Sequence, residues 1–257
     1  MIVETLAFFA GTYSYFVANL VGVAIFGFAW WLGKAQRRMI VITGLSLVPF
    51  FPFFVFFNGD YWNPARIGGV PVGLEDAMCN FLIGSVAWLA ATWPWRDSIR
   101  AKVIWPLMAK RGPYLAALGI CVFLVFWFAG LDALAADSLA NCFLAVVVIL
   151  LRKDLWRIAL CGLVTYAPVY CLHLKLVFLV TPDFALVWNQ SNFWSTTVLG
   201  LPIGEIVAAG AMGCAFPTLA AYIFNARIEL EDKVPAQQPE DNHKRPPRQG
   251  IGPIGAR

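Results

Sequence analysis

Long apolar stretches alternate with short polar segments along most of the chain. Seven of these stretches reach or approach the roughly 17–25 residues that a helix needs to cross a bilayer. They cover residues 13–32, 39–57, 74–93, 114–134, 138–151, 155–180 and 201–224. The pattern predicts an all-α integral membrane protein with about seven transmembrane helices. The fifth stretch is short, so a six-helix bundle remains an alternative at this stage.

Basic residues cluster in alternate loops of this division and in the C-terminal tail. The loop residues are Lys34, Arg37, Arg38, Arg96, Arg100, Lys102, Lys110, Arg111, Arg152, Lys153 and Arg157. Of the 19 basic residues in the chain, only Arg66 and Lys175 lie elsewhere. Because cytoplasmic loops are enriched in Lys and Arg, we expect an outside N-terminus and a cytoplasmic C-terminus, in a bacterial inner membrane.

Composition supports a lipid environment and defines the domain organisation. The chain is 60% hydrophobic and only 13% charged, more apolar surface than a soluble fold of this length could hide. We expect a transmembrane bundle over residues 1–225 and a disordered cytoplasmic tail, rich in Pro, Gln and charge, over residues 226–257. The expected partners are the membrane and a lipophilic ligand, with a homo-oligomer open and no nucleic acid. The six cysteines are scattered through apolar runs, so neither a metal nor another cofactor is expected.

An internal repeat links residues 57–93 to residues 188–224. Each copy has Asn near an aromatic-Trp pair and then a short loop. Gly-Val-Pro-Val-Gly or Gly-Leu-Pro-Ile-Gly follows, and each copy ends with a glutamate at the head of a span. Both spans enter the membrane from the same side. We therefore expect Glu75 and Glu205 at equal depth in two related halves of one bundle.

Several polar residues lie at or near that same side of the membrane. Those in the spans are Glu75, Asp76, Asn80, His173, Lys175 and Glu205, and those in the loops are Asp60, Trp62, Arg66 and Trp194. Ionisable groups at membrane depth usually face a bundle interior or a watery cavity, so convergence on one site is the functional interpretation.

Each of these residues also has a structural interpretation. Carboxylates are favoured at a helix N-terminus, which would explain Glu75 and Asp76. Lys175 could extend its ammonium to the interface, and His173 could serve as a hydrogen-bonded structural residue. Arg66 could pair with Asp60. An interfacial belt would explain the tryptophans at this side of the membrane, Trp62, Trp188 and Trp194.

At the repeat motifs the chain resembles the membrane-embedded lycopene cyclase domain family, which includes heterodimeric and fused carotenoid cyclases and related membrane terpene cyclases. Each half of that family carries a Pro-x-Glu-(Glu/Asp) signature opening a helix. Looser forms occur here as Pro71-Val-Gly-Leu-Glu75-Asp76 and Pro202-Ile-Gly-Glu205. Asp60-Tyr-Trp-Asn-Pro64 and Arg66 also look like the family's first-half signature. The second motif lacks an acidic pair, since Ile206 follows Glu205.

The resemblance implies a redox-neutral cyclisation of an isoprenoid or carotenoid end group within the bilayer, without a cofactor. A carboxylic acid would protonate a terminal double bond, a ring would close on the cation, and a base would remove a proton. Glu75 or Glu205 is the candidate acid, and Asp76 or the remaining glutamate is the candidate base. Aromatic faces such as Tyr61, Trp62 and Trp194 could stabilise the cation.

Two other classes remain open. Pro- and Gly-interrupted segments at matching positions in two halves are a feature of transporters, although the two copies here enter the membrane in the same direction. A non-catalytic accessory protein is the second alternative. A retinal protein is disfavoured because the seventh span contains no lysine, and Lys175 lies in the sixth.

Overall fold

The structure, a computed structural model, describes residues 11–229. Seven helical segments long and apolar enough to cross a membrane confirm the all-α prediction. The α-helices are α1 (Ser14–Leu32), α2 (Arg37–Leu47), α3 (Leu74–Thr92), α4 (Trp105–Phe128), α5 (Ala133–Leu151), α6 (Trp156–Val180) and α7 (Ile203–Ile223). We call the end of the bundle where α3 and α7 begin the motif end, and the opposite end the basic end.

The second span changes helix type half-way through. Its α-helix, α2, continues as a 3-10 helix over Val48–Phe57. Pro49 and Pro52 lie in this part, and a proline supplies no backbone N–H to an α-helical ladder. The tighter 3-10 winding carries a run of phenylalanines past the interior of the bundle to the motif end.

The boundary between the fourth and fifth spans differs from the sequence-based expectation. The fourth was expected over 114–134 but the helix is Trp105–Phe128, and the fifth was expected over 138–151 but begins at Ala133. Pro106 in the first turn suits an earlier start for α4. The helix accommodates Lys110, which is exposed, and Arg111, which donates a hydrogen bond of 2.7 Å to the Tyr222 carbonyl. These basic residues therefore belong to the helix and not to the preceding loop.

Short strands close the loops at both ends of the bundle. At the basic end β1 (Ile99–Arg100) pairs with β4 (Arg227–Ile228), and at the motif end β2 (Thr197–Val198) pairs with β3 (Leu201–Pro202) immediately before α7. The expected disordered tail, 226–257, lies outside the described residues from position 230 onwards. Its first residues, 226–229, are described and contain β4.

The backbones of α6 and α7 touch. A Cβ atom added to Gly162 would overlap the carbonyl of Gly213, and one added to Gly213 would overlap the carbonyl of Gly162. Small residues permit such close approach between membrane helices. This contact fixes α7, and with it Glu205, against the helix that carries Tyr170.

Candidate functional site

A cavity of about 700 Å³ runs through the bundle, and all seven helices contribute to its wall. Its volume lies within the range of about 300–1,000 Å³ that is usual for small-molecule sites. The wall is mostly aliphatic and aromatic. Among the residues that line it, the only carboxyl side chains are Glu205 and Asp137, and there is no lysine or arginine. The cavity therefore suits an apolar ligand that meets very few charges.

Glu205 lies at the motif end of this cavity, three residues into α7, and is 8% exposed. The Tyr170 hydroxyl donates a hydrogen bond to its Oε2 at 2.7 Å, and Nε1 of Trp188 donates one to its Oε1 at 2.9 Å. Glu205 makes no ion pair with any residue in the described range 11–229. Two neutral donors, one to each oxygen, thus orient the Glu205 carboxyl group.

The Tyr61 hydroxyl lies next to this group. Tyr61 is 1% exposed and lines the cavity, and its hydroxyl has no hydrogen-bond partner within the described part of the chain. The oxygen lies 2.8 Å from the position that a Cβ atom on Gly204 would take. Burial, and then the charge that Glu205 carries when it is ionised, raise the pKa of the Tyr61 hydroxyl well above its ordinary value. Tyr61 therefore offers a protonated, unpartnered donor beside Glu205.

Asp137 is the second carboxyl group of the cavity wall. It lies on the second turn of α5, where Asn141 donates a hydrogen bond to its Oδ2 at 3.0 Å. One turn earlier on the same helix, Leu134 contacts α7 so closely that a Cβ on Gly204 would collide with it. Both carboxyl groups therefore lie near the motif end, on two helices that pack against each other.

Asp76, in the first copy of the repeat, is bound by Arg66. Arg66 donates from Nε to Oδ2 at 2.7 Å and from Nη2 to Oδ1 at 3.0 Å, and both side chains are almost completely buried. Tyr15 adds a third side-chain hydrogen bond, to Oδ1 at 3.1 Å, and the Gly73 amide adds a backbone one at 2.7 Å. The oxygens of Asp76 are fully used in attaching the preceding loop to α3.

Glu75 is also turned towards the loop. Its Oε1 accepts a hydrogen bond of 2.7 Å from the Ile67 amide, and its side chain is not part of the cavity wall. Glu75 and Glu205 thus occupy matching places in the two copies of the motif but face different surroundings.

The remaining expected residues divide into two groups. Trp62, Asn80 and His173 line the cavity. Nδ2 of Asn80 donates to the Leu47 carbonyl at 3.2 Å, and Nε2 of His173 lies 3.0 Å from the Ala18 carbonyl oxygen.

The second group lies at the motif end but outside the cavity wall, with Asp60 and Trp194 in the loops and Lys175 near the end of α6. Asp60 accepts a hydrogen bond from the Ala133 amide at the start of α5. It does not pair with Arg66, contrary to the structural interpretation above, because Arg66 is bound to Asp76. Trp194 donates from Nε1 to Asp132 at 2.6 Å, and the exposed Lys175 donates to the Leu199 carbonyl. These three residues hold the loops together.

Sequence reasoning missed Asp137, Tyr170 and Trp188 as parts of the site, and it considered Tyr61 only as an aromatic face for a cation. Asp137 was placed outside the fifth span because that span was expected to begin at residue 138. A signal was nevertheless present, since Asp137 and Asn141 are spaced i, i+4 within an apolar run and such residues share one helix face. Trp188 was attributed to the interfacial belt, and Tyr170 carried no distinguishing pattern, whereas Tyr61 belongs to the aromatic-Trp pair of the first repeat copy.

The site contains no group of three His, Cys, Asp or Glu side chains that could hold a metal ion, and none occurs elsewhere among residues 11–229. No protein-family model, no curated protein and no solved structure matches this chain.

Proposed function

We propose that this protein is an intramembrane isoprenoid cyclase, similar to the lycopene cyclases, in which Glu205 is the acid. The observation that supports it most directly is Glu205 itself, a buried carboxyl group at one end of a long apolar cavity, without a cationic partner among residues 11–229. Such a carboxyl can carry and deliver a proton to a hydrocarbon in a place that excludes water.

The proposed reaction is an isomerisation in which atoms and electrons balance. The protonated Glu205 adds its proton to the terminal carbon–carbon double bond of an acyclic polyene and leaves a tertiary carbocation. The π electrons of a nearby double bond of the same chain attack that cation and form the ring bond. Loss of a proton from a carbon next to the new cation restores a double bond. No oxidant or reductant is consumed.

Asp137 is the proposed proton acceptor for the last step. It is the second carboxyl group of the cavity wall, and it lies near the same end as Glu205 on a neighbouring helix. Asn141 orients it through a single hydrogen bond and leaves its other oxygen available. Solvent at the motif end would return the proton to Glu205 between turnovers.

Aromatic rings near Glu205 supply the proposed stabilisation of the cation. Trp62, Tyr166 and Trp188 all line the cavity, and the face of an aromatic ring attracts a cation within about 6 Å of its centroid. Trp194 does not line the cavity, so Trp188 takes its place in the proposed stabilisation of the cation.

A lipid transporter is the second candidate, because the cavity extends from the motif end to the last turn of α7 at the basic end. A transporter would move its ligand unchanged, whereas a cyclase releases an isomer of it. Product analysis therefore separates the two.

The test is the pigment profile of a lycopene-accumulating bacterial host that expresses the chain. Cyclic carotenes are expected with the wild type, and we expect Glu205→Gln to reduce their formation about 10²–10⁴-fold, the usual contribution of a general acid. Glu75→Gln is the matched control, since the same change is made in the other repeat copy outside the cavity. Unchanged lycopene with well-expressed wild-type protein would refute a carotenoid cyclase. Equal product from Glu205→Gln would refute the role of Glu205.

The proposed orientation places the basic end in the cytoplasm, with the N-terminus outside, in a bacterial inner membrane. It rests on the concentration of Lys and Arg at that end. Reporter fusions to the C-terminus should be active if the reporter requires the cytoplasm and inactive if it requires the periplasm. The reverse result would invert the orientation.

A further inference from the structure

The cavity is much longer than the group that reacts in it. On α7 it is lined from Glu205 to Ile223, and at a rise of 1.5 Å per residue this interval corresponds to about 27 Å. Both carboxyl groups lie near the motif end, and the α7 positions lining the other end are apolar: Phe216, Leu219, Ala220 and Ile223. A ligand with its reacting end at Glu205 would therefore have its apolar tail directed towards the basic end.

Contacts of Arg111 identify the α4 residues that border the far end of the cavity. Arg111 donates from Nη1 to the Tyr222 carbonyl at 2.7 Å, and its guanidinium carbon lies 4.3 Å from the centroid of the Tyr222 ring. Residue 111 is thus level with the last turn of α7. Gly112, its neighbour, lines the cavity at this level.

Gly112 borders open space. A Cβ atom at this position would meet no other described atom within 4 Å, whereas one at Gly119, two turns further along the same wall, would lie 2.8 Å from Cδ1 of Leu144. The absence of a side chain at Gly112 therefore keeps the far part of the cavity wide without serving any close helix contact.

We infer that Gly112 sets the length of apolar tail that the cavity accepts, with the reacting end of the isoprenoid at Glu205. This inference rests on the proposed function for the direction of the chain. A bulky side chain at position 112 fills the far end and leaves the surroundings of Glu205 unchanged. Long isoprenoid chains then no longer fit in the cavity, whereas short chains that end before Gly112 still bind.

Binding tests this inference without relying on turnover. The purified full-length protein in detergent is incubated with geraniol, geranylgeraniol and solanesol, three acyclic isoprenoid alcohols of increasing length. The probe retained per protein is measured after gel filtration. We expect Gly112→Phe to reduce retention of solanesol about tenfold or more, as overpacking of a filled site does, and to leave geraniol unchanged. Gly112→Leu, a smaller change, should give an intermediate loss.

Gly27→Phe is the matched control. Gly27 is an exposed glycine of α1 outside the cavity wall, and a Cβ there would also meet no described atom within 4 Å. Retention of all three alcohols should equal that of the wild type. Three results would overturn the inference: equal solanesol retention by Gly112→Phe, equal loss of geraniol and solanesol, or no retention of solanesol by the wild type. A length-dependent loss without cyclic product in the carotenoid test would uphold the role of Gly112 and refute the cyclase.

Discussion

The two copies of the internal repeat present their carboxyl groups to different surroundings. In the first copy, Asp76 is bound by Arg66 and Glu75 accepts a hydrogen bond from a loop amide. In the second copy, Glu205 faces the cavity and is held by Tyr170 and Trp188. Similar motifs at equivalent helix ends therefore place their carboxyl groups differently. Those of the first copy bind the preceding loop, and Glu205 of the second copy faces the cavity.

The loop in front of each helix accounts for the difference. The loop preceding α3 contains Arg66, and its guanidinium neutralises the carboxylate that follows. Residues 188–204, which precede α7, contain no lysine or arginine. A carboxyl group at the head of a buried helix is fixed as an ion pair when its loop supplies a cation, and stays available when the loop does not. The repeat alone does not indicate which copy is functional.

The largest expected effect on stability is that of Asp76→Asn. This change leaves Arg66 buried and without its charge partner, and removal of one member of a buried ion pair costs about 3–5 kcal/mol. The free energy of unfolding, measured by denaturant titration in detergent, should fall by that amount. Glu229→Gln is the control, because Glu229 lies in the exposed pair with Arg100, and its effect should stay within about 1 kcal/mol. If Asp76→Asn behaves like this control, the first copy has no structural ion pair to contrast with Glu205.

Glu205→Gln should have an intermediate effect on stability. The glutamine oxygen can accept from Nε1 of Trp188, which can only donate, and its NH2 group can then donate to the Tyr170 hydroxyl if that hydroxyl turns from donor to acceptor. Reversing one buried hydrogen bond in this way should cost about 1–2 kcal/mol. The same titration, run beside the product assay, should show a protein that folds but forms little product. Loss of the folded state would make Glu205 a structural residue like Asp76 and remove the contrast.

The smallest effect is expected for Glu75→Gln. The amide oxygen can still accept the hydrogen bond from the Ile67 amide, so the change in unfolding free energy should be about 1 kcal/mol or less. Product formation should equal that of the wild type. A large loss of product with normal stability would show that the first copy takes part in the reaction and would restore the two-glutamate mechanism.

The seven-span architecture could be predicted from sequence because lipid requires long apolar segments, and these are visible without knowledge of tertiary contacts. The boundary between the fourth and fifth spans could not. Lys110 and Arg111 look like loop residues, and only the contact between Arg111 and the Tyr222 carbonyl shows why α4 includes them.

Part of the candidate site could be predicted from sequence, namely the part that depends on a local motif. The repeat identified Glu205, because the motif is local in sequence. The pairing of Arg66 with Asp76 instead of Asp60, and the position of Asp137 in the cavity wall, depend on how the loop folds back and where α5 begins. No short pattern encodes the first, and for the second the spacing of Asp137 and Asn141 indicates only a shared helix face, not the cavity that this face lines.

The contact between Gly162 and Gly213 has a consequence for motion. Because the two backbones touch at this crossing without side chains between them, no rotamer there can rearrange, and α6 and α7 should move as one rigid unit. Any widening of the cavity to admit a ligand then falls to α4, whose outer face is largely exposed. Amide hydrogen exchange should be slowest along α6 and α7 and faster along α4.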